Sequence, residues 1–272
     1  MTIPRPLIPN EHGACAVLFV PMAVAATAVG SFSFNLVLLT LSALSWFMAY
    51  RPASILLRDS NVSSPGKEKL RQARFWATVY LSAGLVFLAL LLGHGFWLLL
   101  PIGALSAGGF LGSFFLSRRR ARTIPGDLLA VVGLTLSAPG TYYVGAGSLN
   151  STSFFLWLMN FLFFGCSVFY VHMKMHAASS KKQEFDCAEK LSIGKWNVFY
   201  HIAIMVVVGA LALVRYMSWF AVLAFVPMTM HAIYGTHRLS SDVRFKNLGL
   251  LLLGQSIAFG IILGVFPVWQ MQ

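Results

Sequence analysis

Nine stretches of this chain are apolar for long enough to cross a bilayer as helices, and that repetition leaves few folds open. They lie near Ala14–Gly30, Leu36–Tyr50, Trp76–Leu92, Phe96–Leu116, Leu128–Gly147, Phe154–Val171, Val198–Val214, Trp219–Tyr234 and Leu248–Val268. Hydrocarbon offers no water to backbone N–H and C=O groups, so each crossing must bond within itself or within a closed barrel, and runs of this length suit helices. Charge is scarce in the same sense: 10% of residues are charged and 58% are hydrophobic, where a soluble domain carries about 25% charge. The expected fold is all-α, a polytopic membrane bundle of about nine transmembrane helices forming a single integral membrane domain over residues 1–272. The longest polar stretch, 172–196, is too short to build a soluble core of its own.

The connections alternate in character. Segments 51–75, 117–127, 172–197 and 235–247 are rich in Lys and Arg, while the turns between them carry only Arg215. Basic loops stay in the cytoplasm, which places residues 1–13 inside and the C-terminus outside. The net charge of +12 is read the same way, as topology and attraction to anionic lipid, with no nucleic acid as partner. The opening segment has a weak basic region and three prolines, so the first span is expected to be retained and not cleaved as a signal peptide. Cys15, Cys166 and Cys187 lack metal-type spacing and lie on the reducing side or within spans, which argues for neither disulfides nor zinc.

Every Asp and Glu, and every His except His94, falls on the same side as the basic loops. Either the opposite loops are too short to hold charge, or a polar site sits at the cytoplasmic ends of the spans. Candidates for that site follow from the span ends. Glu11 and His12 open the first span, as base or ligand, or else as neighbours of an Asn10 cap with Glu11 favoured by the helix dipole. The sixth span closes in His172-Met173-Lys174-Met175-His176, where His172 and His176 share a helix face and, with Lys174, are candidates for contacting a cofactor or head group. His201 and His231 sit one turn inside their spans, as packing residues or as a bis-histidine haem pair. The run Arg118-Arg119-Arg120 suits bidentate grip on phosphate, or anchors topology, and Asp127 behind it suits an N-cap or first helical turn.

Nine helices with basic loops after the second, fourth, sixth and eighth resemble the membrane prenyltransferases of the UbiA superfamily. The stretch Phe114-Phe115-Leu116-Ser117-Arg118-Arg119-Arg120-Ala121-Arg122-Thr123 is similar to that superfamily's basic-Thr turn. Glu184-Phe185-Asp186-Cys187-Ala188-Glu189, followed by Ile193-Gly194, resembles its second acidic motif. Where the superfamily shows several Asp after the second span, this chain keeps Asp59 alone. The resemblance implies a prenyl diphosphate held through Mg²⁺ at Asp186 and Glu189, with Arg51, Arg58, Arg118, Arg119 and Arg120 supplying part of the positive charge and Glu11, His12 and Asp59 as catalytic candidates.

The opening Pro9-Asn10-Glu11-His12-Gly13-Ala14, leading straight into an apolar span, resembles the start of the YwiC-like family of bacterial membrane proteins, with Cys15 where a Trp is expected. That resemblance covers essentially the whole chain and implies a bacterial inner-membrane location and a fold without an activity. Two functions are therefore expected to compete: a UbiA-type enzyme acting on an isoprenoid or lipid-like group, and a carrier or accessory protein binding a lipid, quinone or haem. The 23 Phe and 11 Met would line the apolar cavity that either needs.

Overall fold

The computed structural model describes residues 5–7, 12–57, 66–118, 122–180, 182 and 184–266. Ten α-helices run through them: α1 (His12–Val29), α2 (Phe34–Leu57), α3 (Lys67–Gly93), α4 (Leu99–Arg118), α5 (Ile124–Thr135), α6 (Ser137–Ala146), α7 (Ser151–Ala178), α8 (Cys187–Leu213), α9 (Trp219–His237) and α10 (Phe245–Val265). Eight elements are long and apolar enough to span a membrane, with α5 and α6 counted together as one span over Ile124–Ala146. The apolar α1, whose apolar stretch is Gly13–Val29, is shorter than these eight. The polytopic helical bundle expected from hydropathy is thus the fold.

The α5–α6 break has a local cause. Pro139 offers no N–H to the carbonyl of Thr135, and its ring crowds that carbonyl, so the helix stops at Leu136 and restarts at Ser137. The Ser137 hydroxyl donates to the Leu18 carbonyl at 3.0 Å and so ties the break to α1.

Several helices run further than hydropathy suggested. α2 continues past Tyr50 through Pro52 to Leu57, α7 past Val171 to Ala178, and α8 begins at Cys187 rather than near Val198. Hydropathy registers only the hydrocarbon layer of about 30 Å, whereas the 28 residues of α7 rise about 42 Å. Within the polar segments, residues 51–57, 67–75, 172–178 and 187–197 are therefore helical.

In lipid, helices associate through close packing and interhelical hydrogen bonds more than through a hydrophobic driving force. The glycine crossing in which backbone meets backbone joins α4 to α5. A Cβ on Gly109 would lie 2.7 Å from the Leu129 carbonyl oxygen and one on Gly133 2.7 Å from that of Ser106, so only glycine fits at either position. The Ser106 hydroxyl donates to the Gly133 carbonyl across the same contact, at 2.6 Å. α1 lies centrally, against α5, α6, α7 and α10. In the C-terminal half, Phe163 of α7 stacks on Phe259 of α10 at 3.9 Å, with Phe225 of α9 edge-on to Phe259.

Candidate functional site

Helices α1 to α6 enclose a cavity of about 640 Å³, well within the range of small-molecule sites. Its wall is almost wholly apolar, with Leu18 of α1, Phe47 of α2, Leu85 of α3, Phe110 of α4 and Leu134 of α5. Along α2 the lining runs from Leu39 to Ser54, about 22 Å of helix rise. That volume over that length makes a slot, shaped for a chain more than for a compact solute.

Two tight helix pairings create the slot. The Ser42 hydroxyl donates to the Gly84 carbonyl at 3.0 Å, joining α2 to α3. Gly84 also makes room for Trp46, whose indole nitrogen would stand 2.6 Å from any Cβ there. On the other side, α4 is drawn onto α5 by the glycine crossing. α3 and α4 make no extended packing with each other, although both line the slot. Tyr50 and Phe110 reach across from α2 to α4, ring centroids 5.8 Å apart.

The end of the slot marked by Tyr50, Ala53 and Ser54 belongs to the end of the bundle where the basic residues collect. Arg51 is half-buried here, and the Ser54 hydroxyl donates to the Arg51 carbonyl at 2.8 Å. Asp127 lies in the first turn of α5, six residues and about 9 Å of rise before Gly133 in the slot wall. Thr123 is the N-cap of this helix, its hydroxyl accepting from the Gly126 N–H at 3.3 Å, which frees Asp127 for another partner. That partner is His172 of α7, whose Nε2 sits 2.9 Å from the Asp127 Oδ2 with both side chains largely buried. One turn from Tyr170, the Lys174 ammonium donates to the Gly235 carbonyl of α9 at 3.1 Å. His176 is exposed on the same face of α7 as His172.

The other expected site residues fall elsewhere. Asp186 and Glu189 form a capping box at the start of α8: the Asp186 Oδ1 accepts from the Glu189 N–H at 2.7 Å, and the Glu189 Oε2 accepts from the Asp186 N–H at 3.2 Å. Glu189 also pairs with Lys182, whose ammonium it holds above the ordinary lysine pKa through that hydrogen bond and its charge. Both carboxylates thus serve their own helix end, apart from the Asp127–His172 contact. Among the described residues, no group of three His, Cys, Asp or Glu side chains could hold a metal ion. Glu11, Arg58, Asp59, Arg119 and Arg120 lie outside the described residues. His12 begins α1 and Arg118 ends α4, with only their backbones described.

A separate polar network crosses α7 to α10. The Gln255 Nε2 donates to the His231 Nδ1 at 3.0 Å, which leaves His231 Nε2–H to donate to the Tyr170 hydroxyl, also at 3.0 Å. His201 is fully buried, its Nδ1–H donating to the Asn197 carbonyl at 2.7 Å. A bis-histidine haem would need a free nitrogen on each ring, and both nitrogens of His231 are engaged, so the geometry disfavours that reading. In a second polar group, Asn197 donates to Thr236 at 3.1 Å.

Sequence reasoning passed over the slot itself. Its signals were present as small residues inside apolar runs, Ser106-Ala107-Gly108-Gly109 in α4 and Gly84 in α3, which mark close helix approach. Gln255, an amide in the middle of an apolar span, likewise announced a buried polar contact.

The profile of a family described as "YwiC-like protein" matches residues 8–142, which contain every residue lining the slot. The chain is 23% identical over 268 residues to a protein of Bacillus subtilis (strain 168) named "Uncharacterized protein YwiC", covering 96% of this chain and 98% of that one. No solved structure matches the chain.

Proposed function

Through residues 8–142 the chain belongs to the YwiC-like family, and for this multi-pass membrane protein we propose the binding of an isoprenoid- or lipid-like amphiphile. The apolar tail lies in the α1–α6 slot and an anionic head group at the basic end, which faces the cytoplasm of a bacterial inner membrane. The observation that carries this reading is the slot: about 640 Å³, apolar along its length, and reaching Tyr50, Ala53 and Ser54 on the same turns of α2 as Arg51. With α3 and α4 not packed on each other, a lipid-phase ligand would enter between them. Arg51 and the run Arg118 to Arg120 supply the charge for a phosphate or diphosphate.

Binding without transformation is favoured over UbiA-type prenyl transfer by the use made of the acidic pair. Asp186 and Glu189 cap α8 and pair with Lys182, so neither is aimed at a diphosphate across the slot. The test is mass spectrometry of small molecules retained by the detergent-purified protein, compared with Ala107→Trp, which fills the slot from α4. A long-chain amphiphile carried by the native chain and lost from the variant is expected. Equal retention by both would sink the reading.

A further inference from the structure

The end of the bundle opposite the basic rim carries a single arginine, Arg215, in the turn between α8 and α9. Its φ of 61° makes it the one described non-glycine residue in the left-handed region. The turn is closed by main-chain bonds, Arg215 N–H to the Ala212 carbonyl at 3.1 Å and Tyr216 N–H to the Leu211 carbonyl at 3.0 Å. The exposed Arg215 side chain has no acidic partner among the described residues.

Beside it lies a second cavity, of about 470 Å³, whose lining mixes polar and apolar groups. Arg215 and Ser218 form its polar part, and Leu213, Trp219, Phe220 and Leu223 its apolar part. The Ser218 hydroxyl is shut away from solvent without a partner among the described residues. It does not cap α9 either, so the positive end of that 19-residue helix has no side-chain cap. Leu213, Tyr216, Trp219 and Leu223 are all more than half exposed, as befits a surface against acyl chains and, for Tyr216 and Trp219, the aromatic belt of the head-group layer.

We propose that this cavity binds the phosphate of an anionic phospholipid from the leaflet at that end of the bundle, the outer leaflet in the orientation given above. The Arg215 guanidinium holds phosphate oxygens, and the acyl chains lie along Leu213, Phe220 and Leu223. A lone guanidinium balances one negative charge. A choline head group would bring a second cation against it, so phosphatidylglycerol is preferred over phosphatidylcholine. The slot of α1–α6 is not involved, and the two sites stand or fall separately.

The test uses Arg215→Asn. Asparagine tolerates the left-handed conformation better than arginine does, so this variant removes the charge while suiting the turn, and its lipid-free Tm should match or exceed that of the native chain. Added phosphatidylglycerol is expected to raise the Tm of the native protein in detergent by about 3–6 °C and that of Arg215→Asn by much less, with Arg215→Lys between them. Phosphatidylcholine and inorganic phosphate at matched concentration should give little shift in either. An equal phosphatidylglycerol shift in Arg215→Asn would overturn the site, and an equal shift from phosphatidylcholine would overturn its preference. The same shift from inorganic phosphate alone would overturn the lipid as its occupant.

Discussion

His172 Nε2 and Asp127 Oδ2 meet at 2.9 Å between helices whose cores are built from different runs of the sequence, and this contact fastens the start of α5 to the far reach of α7. A largely buried, charge-assisted hydrogen bond contributes about 1.5–3 kcal/mol, and more is lost when one partner is left behind. Asp127→Ala should therefore lower stability by about 2 kcal/mol in thermal unfolding in detergent. Adding His172→Ala to that background should cost little more, the non-additivity expected of partners in direct contact.

The capping box makes a separate prediction at Asp186. Asn is as good an N-cap as Asp, so Asp186→Asn should be mild, while Asp186→Ala should cost about 1 kcal/mol. If the carboxylate served Mg²⁺ instead, Asp186→Asn would erase a Mg²⁺-dependent shift in melting with a prenyl diphosphate. The expected result is no such shift in the native protein.

At the α4–α5 crossing, Gly133→Val should be severe. Its side chain would start 2.7 Å from a backbone oxygen that cannot step aside, and overpacking of this kind costs about 1–3 kcal/mol or more. Loss of Tm and of monodisperse yield would register it. Gly147→Ala is the control for steric space, because nothing lies near its Cβ; its penalty should be the smaller, conformational one of a left-handed residue.

Orientation can be read with a native thiol. Cys187 is exposed at the start of α8, on the basic side. A membrane-impermeant maleimide should label it in inverted vesicles and not in intact spheroplasts, while a cysteine placed at Ser148 in a Cys187→Ser chain should behave the other way round. The reverse pattern would refute a cytoplasmic basic face.

The spans were legible because hydrocarbon imposes one strict demand on backbone, and apolar length reports it directly. Helix ends were not: His172 and Cys187 lie in polar sequence, where hydropathy cannot tell a helix from a loop. Asp127 was marked as a first-turn residue and His172 as a site candidate, yet nothing in either segment linked them, since their contact depends on which helices become neighbours. The acidic pattern around Asp186 and Glu189 reads as a metal motif, but the same three-residue spacing also serves a capping box, and only the geometry separates the two. The slot was hidden for a different reason: its walls are the same Leu, Phe and Ala that face lipid elsewhere in the chain.

Because α3 and α4 make no extended packing with each other, the proposed amphiphile can reach the slot from the bilayer interior. The quantity that governs its occupancy is the mole fraction of ligand among membrane lipids. Diluting the cell suspension or the buffer leaves that fraction untouched, while diluting the same protein with added lipid empties the slot. A titration plotted against total aqueous concentration would report partitioning into the vesicles, and curves taken at different lipid-to-protein ratios should coincide only when plotted in two dimensions.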